Sequence, residues 1–223
     1  MKREPQNVLA FDQIDFGRQS VADIVYHALL DAIYEGVLAP GEHLNEAEYV
    51  ERWGISRTPI REAVQRLKHI GLVVSSPNRY TRIVEIDAEQ TRQALTAWLA
   101  LYDALLVEVH GKVPAAKLRV MRKHSADAAK AAKRLDAVST ARHNFDFFNE
   151  LNSVSTNVYL RDALDSVIHV IRLGSVWLPQ WVDVAALGEV QAQIVMGLEA
   201  GDLTQARTAV RQAYLTVLTA AEQ

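Results

Sequence analysis

Arg57, Arg61, Gln65 and Lys68 recur three or four residues apart. On a helix that spacing aligns them in one polar ridge, opposite a stripe made by Ile60, Val64 and Leu67. A guanidinium is a planar fork of donors that suits O6 and N7 of a guanine, and the N-terminus of such a helix favours a phosphate oxygen. The chemistry is recognition of duplex DNA rather than the making of bonds. The chain carries a formal charge of −3, yet its charge is unevenly placed. Between residues 20 and 56 Arg52 alone faces Asp23, Asp31, Glu35, Glu42, Glu46, Glu48 and Glu51. Between 57 and 82 Arg57, Arg61, Arg66, Lys68, Arg79 and Arg82 face Glu62 alone. A basic stretch of this kind is what a polyanionic partner selects. No Ser-His-Asp set, paired carboxylates, metal cluster or phosphate-cradling glycine loop can be placed from spacing, so no enzyme is expected and no catalytic residue is assigned.

The elements that position the ridge follow from periodicity. Ser20 caps a helix over 21–35 with Val21, Ile24, Val25, Ala28, Leu29, Ala32 and Ile33 at helical spacing, and Gly36 stands at its C-cap. A short acidic helix from Leu44 to Trp53 stops at Gly54. Gly54-Ile55-Ser56 then supplies the tight turn that sets a third helix at a steep angle, capped by Ser56 or Thr58, with Pro59 in its first turn, ending near Gly71. Leu72–Ser76, Pro77–Tyr80 and Thr81–Ile86 read as strand, turn and strand, a small hairpin or wing. Beyond Asp87 apolar residues keep helical spacing in about six segments, 88–110, 114–137, 140–154, 157–173, 182–200 and 203–221. Breaks are expected at Gly111, around Ser139, at Ser155-Thr156, from Gly174 to Pro179 and at Gly201-Asp202.

The run from Gly36 to Leu44, Asn45-Glu46-Ala47-Glu48, and then Gly54 to Ala63 resembles the signature of the GntR family of bacterial regulators, over about residues 20–86. The resemblance implies that Arg57 and Arg61 contact bases or adjacent phosphates, that Thr58 contacts phosphate, and that a wing tip of Pro77, Asn78 and Arg79 enters the minor groove. Ser56 and Gln65 complete the expected DNA-binding set. The family usually places a glycine after that arginine. Tyr80 stands there instead, which implies a less tightly turned wing.

Residues 88–223 are similar, more loosely, to the six- or seven-helix effector domain of the FadR subfamily, an FCD-type domain. The anchors are Asn157-Val158-Tyr159-Leu160 and Gly197–Asp202 with Ala206. Many members hold a divalent metal with an aspartate and three histidines, and counting from the anchors puts Asn144, Phe148, Gln191 and Ala213 at those positions. Phenylalanine and alanine carry no ligand atom, and no two histidines of this chain are four residues apart. No metal and no cofactor are expected. The same count puts Trp98 and Tyr102 where relatives often present charged groups to the cavity. Trp98, Tyr102 and Phe148, with Asn144 and Gln191 as neutral hydrogen-bonding groups, form either a pocket for an apolar or aromatic effector or a sealed core. The basic residues between Lys117 and Arg134 read as a solvated face. His169 and Arg172 belong to a pocket mouth, a surface or an interhelix contact.

The fold expected is mainly α: an arm over 1–19, a winged helix-turn-helix over 20–86, and an all-helical effector-binding and dimerisation domain over 87–223. The function expected is a homodimeric, cytoplasmic transcription regulator, a repressor of double-stranded operator DNA answering to a small molecule. The alternative is a DNA-binding dimer whose C-terminal domain is a ligand-free scaffold. Across 223 residues there is no cysteine, no apolar run long enough for a membrane span and no signal-peptide pattern at the N-terminus.

Overall fold

The computed structural model describes residues 20–76, 79–177 and 184–220. Residues 1–19, read above as an arm, and Pro77 and Asn78 of the wing tip lie outside the described residues. The chain divides into two compact units that meet between Ile86 and Asp87.

The N-terminal unit contains α1 (Val21–Tyr34), α2 (Glu46–Trp53), α3 (Arg57–His69) and the antiparallel pair β1 (Val73–Ser76) and β2 (Tyr80–Ile83). Ser20 caps α1 reciprocally: Asp23 N donates to Ser20 Oγ at 3.1 Å and Ser20 N to the Asp23 carboxylate at 3.2 Å. Leu44, expected inside the second helix, precedes it. Its N–H donates to Thr81 O at 2.8 Å, and Asn45 is the N-cap of α2, accepting from Ala47 N at 3.2 Å. Gly54 ends α2 in the left-handed region at φ 63°, which glycine adopts without a Cβ penalty. Ile24, Val25, Leu29 and Ile33 of α1 bury against Ile60, Val64 and Leu67 of α3 and seal the unit's core.

The C-terminal unit is helical among its described residues: α4 (Ala88–Val109), α5 (Ala115–Lys133), α6 (Ala137–Asn152), α7 (Val158–Trp177), α8 (Val184–Ala200) and α9 (Leu203–Ala220). In it α4 packs on α7 and α9, α5 on α6 and α8, and α8 on α9. Tyr102, Leu105, Leu106, Met121, Phe147, Leu151 and Ile194 form its centre. Two expected breaks move. The α5–α6 turn falls at 134–136 rather than at Ser139, whose N–H instead donates to the Asp136 cap at 3.0 Å within the first turn of α6. Gly174 is helical, because α7 continues to Trp177 and uses the missing Cβ to approach α4: a methyl there would lie 2.5 Å from Thr91 Cγ2.

Two side-chain clasps fix the helix order. Arg207 of α9 donates Nε and Nη2 to the two Asp103 oxygens of α4, each at 2.7 Å, and so holds that carboxyl below its usual range. Glu108 of α4 accepts from the Ser155 hydroxyl, from Thr156 N at 2.9 Å and from Asn157 N at 3.1 Å, which caps the start of α7 with a carboxylate.

Candidate nucleic-acid interface and effector cleft

The recognition ridge is built by amphipathicity. Ile60, Ala63, Val64 and Leu67 of α3 are buried, each at most 2% exposed, so the opposite face of α3 must look to solvent. Ser56, Arg57, Thr58, Arg61 and Gln65 are all exposed, and Lys68 is half-buried. Ser56 is the N-cap of α3 by its extended backbone, but its hydroxyl makes no cap hydrogen bond. That hydroxyl and the first N–H groups of α3 therefore stay open to an external anion. Arg57 and Arg61 pair with no carboxylate among the described residues.

Arg66, also on α3, is used differently. Its Nη1 donates to Asp23 Oδ1 at 2.6 Å and its guanidinium lies 3.9 Å from the centroid of the Tyr26 ring, which ties α3 to α1. The spacing could have revealed this, since Arg66 lies off the ridge that Arg57, Arg61 and Gln65 define.

Arg79 N donates to Ser76 O at 3.1 Å, and Tyr80, expected in the turn, already pairs with Ser76 as the first residue of β2. The looser turn expected from Tyr80 in place of glycine falls on Pro77 and Asn78, outside the described residues; the Tyr80 ring lies 6.1 Å from that of His43 and 4.8 Å from the Arg82 guanidinium. Arg79 is exposed beside the tip. Segment 41–44 braces the other edge of β2, with Ile83 N donating to Glu42 O at 2.9 Å.

In the C-terminal unit Trp98 and Tyr102 of α4 stack at 4.7 Å between centroids, and Phe148 of α6 meets them edge-on at 4.6 and 5.1 Å. These three border a narrow cleft of about 280 Å³, counting the solvent at its mouth. Phe145, Asn149 and Asn152 of α6 and Leu164, Asp165 and Ile168 of α7 complete its wall. Sequence reasoning missed these six, although 145, 148, 149 and 152 recur on one helical face. The Tyr102 hydroxyl is buried without a hydrogen-bond partner, and burial pushes it well above the usual phenol range. At the rim Asn152 Nδ2 donates to Asp165 Oδ1 at 3.3 Å.

Asn144 and Gln191, expected to offer hydrogen bonds to an effector, do not line this cleft. Gln191 Nε2 donates to Asn144 Oδ1 at 3.0 Å, so the two amides of α6 and α8 satisfy each other. The basic face of α5 is partly engaged: Lys117 pairs with Glu150 at 2.7 Å, and Arg122 Nε donates to Glu199 at 3.1 Å. His169 is largely buried, and that burial together with Arg172 pushes its pKa down to about 4. The Arg172 guanidinium lies 4.7 Å from the centroid of Phe145, behind the cleft wall. No helix among the described residues is long and apolar enough to cross a membrane.

Comparison with known proteins agrees with this geometry. Residues 21–83 match the family described as bacterial regulatory proteins, gntR family. The chain is 26% identical over 152 residues to the uncharacterized HTH-type transcriptional regulator YdhC of Bacillus subtilis, covering 66% of this chain and 68% of that one. It is 35% identical over 102 residues to an HTH-type transcriptional regulator of Agrobacterium vitis, encoded in the ttuE-ttuC' intergenic region, covering 45% of this chain and 58% of that one. The fold is similar to that of E. coli McbR/YncC, with a TM-score of 0.74 at 19% identity over 90% of this chain and 96% of that one. The family and these relatives are regulators, not enzymes.

Proposed function

We propose that this chain is a transcription regulator of the gntR family, whose description its residues 21–83 match, that it reads a two-fold operator as a homodimer, in the FadR manner, and that it answers to a small molecule in the C-terminal cleft. The observation that carries the DNA half is the ridge of exposed Arg57, Arg61 and Gln65 on a helix whose opposite face is closed by Ile60, Val64 and Leu67. Arg57 and Arg61 read base edges, Ser56 and Thr58 hold phosphate, and Asn78 and Arg79 reach the minor groove. A dimer sets two such helices against half-sites about one helical turn apart. Such a regulator acts in the cytoplasm, as a repressor where its operator overlaps a promoter.

The effector half is supported by the unpartnered Tyr102 hydroxyl beside an aromatic floor. A ligand with an apolar or aromatic body and one hydrogen-bonding group fits that lining, with Asn149 and Asn152 at its edge. It binds by parting Trp98, Tyr102 and Phe148, since the cleft as it stands has room for little more than water. The scaffold alternative is favoured by the close packing of those three rings.

The test is selection of duplexes from a random pool by the full chain. Recovery of inverted half-sites supports the reading. Recovery of unrelated sequences, with affinity set by salt alone, contradicts it.

A further inference from the structure

Away from both sites, His124 of α5 and His143 and Asp146 of α6 converge between the two helices. One ring nitrogen from each histidine and one carboxylate oxygen lie within 4.8 Å of one another. His124 Nδ1 stands 3.9 Å from Asp146 Oδ2, too far for a hydrogen bond, and the two rings are 5.8 Å apart between centroids. Two bonds of about 2 Å to a shared cation, at a tetrahedral or wider angle, span roughly 3.3–4 Å. Nδ1 of both histidines is buried with no hydrogen-bond partner. A buried imidazole nitrogen normally has a partner, so two left open beside a carboxylate call for one.

We propose that His124, His143 and Asp146 bind a divalent first-row transition cation such as Zn²⁺, which clamps α5 to α6 and leaves a coordination position for water. Two imidazoles and one carboxylate form a donor set typical of such ions, and not of Mg²⁺ or Ca²⁺, which take oxygen. The site lies on a different face of α6 from Asn144, which is bonded toward α8. It departs from the expectation of a metal-free chain. That expectation examined histidines four apart on one helix, whereas these stand on two helices that the 134–136 turn folds together. Clamping α6 also steadies the helix whose Phe145, Phe148, Asn149 and Asn152 line the cleft.

The experiment uses untagged full-length protein freed of metal with a chelator and titrated with Zn²⁺ alone. One equivalent per chain is expected to bind and to raise the melting temperature. Co²⁺ in its place is expected to give ligand-field absorption. His124→Ala and Asp146→Asn are each expected to weaken Zn²⁺ binding at least tenfold, while His27→Ala, at an exposed position on α1, leaves it unchanged. Asp146→Asn keeps the side-chain volume, so it reads the site even if removal of a histidine unfolds the chain. Absence of saturable binding, or equal binding in His124→Ala and Asp146→Asn, overturns the proposal.

Discussion

Two arginines on one helix, Arg61 and Arg66, show how far residue type falls short of residue role. Arg61 is exposed and without an ionic partner among the described residues, whereas Arg66 is spent on Asp23 and Tyr26. Arg66→Ala is therefore expected to lower stability slightly, since the ion pair is solvent-screened and the stacked ring adds to it, and to reduce operator affinity only through that loss. Denaturant melts checked against binding at a temperature where both proteins are folded separate the two effects. Phe148 poses the matching question in the C-terminal unit. If the rings part for a ligand, Phe148→Ala costs little stability and alters the response of Trp98 fluorescence to ligand. If they are a closed core, the same change costs about 3–5 kcal/mol and the parent shows no ligand-dependent melting shift. The ridge was legible at this scale because its polar face is the complement of an apolar stripe. Asn144 and Gln191 bond to each other away from the cleft wall, which counting could not foresee because it locates a position but not the partner it meets.

At the scale of elements, apolar periodicity located every helix to within a few residues, since that signal is local. It failed where a tertiary contact decides. Gly174 looks like punctuation in sequence, yet its hydrogen atom is the space in which α7 meets Thr91 of α4. Gly174→Ala is expected to destabilise by about 1–3 kcal/mol despite the better helix propensity of alanine. Thr91→Ala should restore part of the loss in a double-mutant cycle, and strict additivity of the two changes would show that the contact is absent. The α5–α6 turn escaped prediction for another reason: Leu135 sits in the left-handed region at φ 57° and is 92% exposed, a conformation no sequence rule assigns to leucine. Leu135→Asn is expected to raise the melting temperature modestly, because asparagine tolerates that backbone better.

Across the whole molecule, pH dependence follows from His169 and Asp103. The imidazole of His169 is held neutral down to about pH 4, whereas an unfolded chain protonates it near 6.5. Its contribution is thus full above pH 6.5 and lost as pH falls toward 4. Asp103 acts at lower pH, its stabilisation present above the unfolded carboxylate value and lost as pH drops through its lowered pKa. His169→Gln is expected to flatten the stability profile between pH 6.5 and 4 while leaving the acid limb below it. Identical profiles for the two proteins over that interval would contradict the assignment. Strand signals end before Asp87, where the chain passes from the unit that carries the hairpin to the helical unit. The wall of the cleft was not visible from sequence, because it joins residues of α4, α6 and α7 that only packing brings together.

The central claim, that the exposed ridge of α3 reads base sequence, is tested most directly by the affinity of the full chain and of Arg61→Ala for a selected operator and for a scrambled duplex, at one fixed salt concentration. The account predicts that Arg61→Ala loses about 1–3 kcal/mol on the operator and little on the scrambled duplex, so that discrimination falls while the fold, followed by helical circular dichroism, is unchanged. Equal operator affinity for the two proteins, or equal losses on both duplexes, would contradict it.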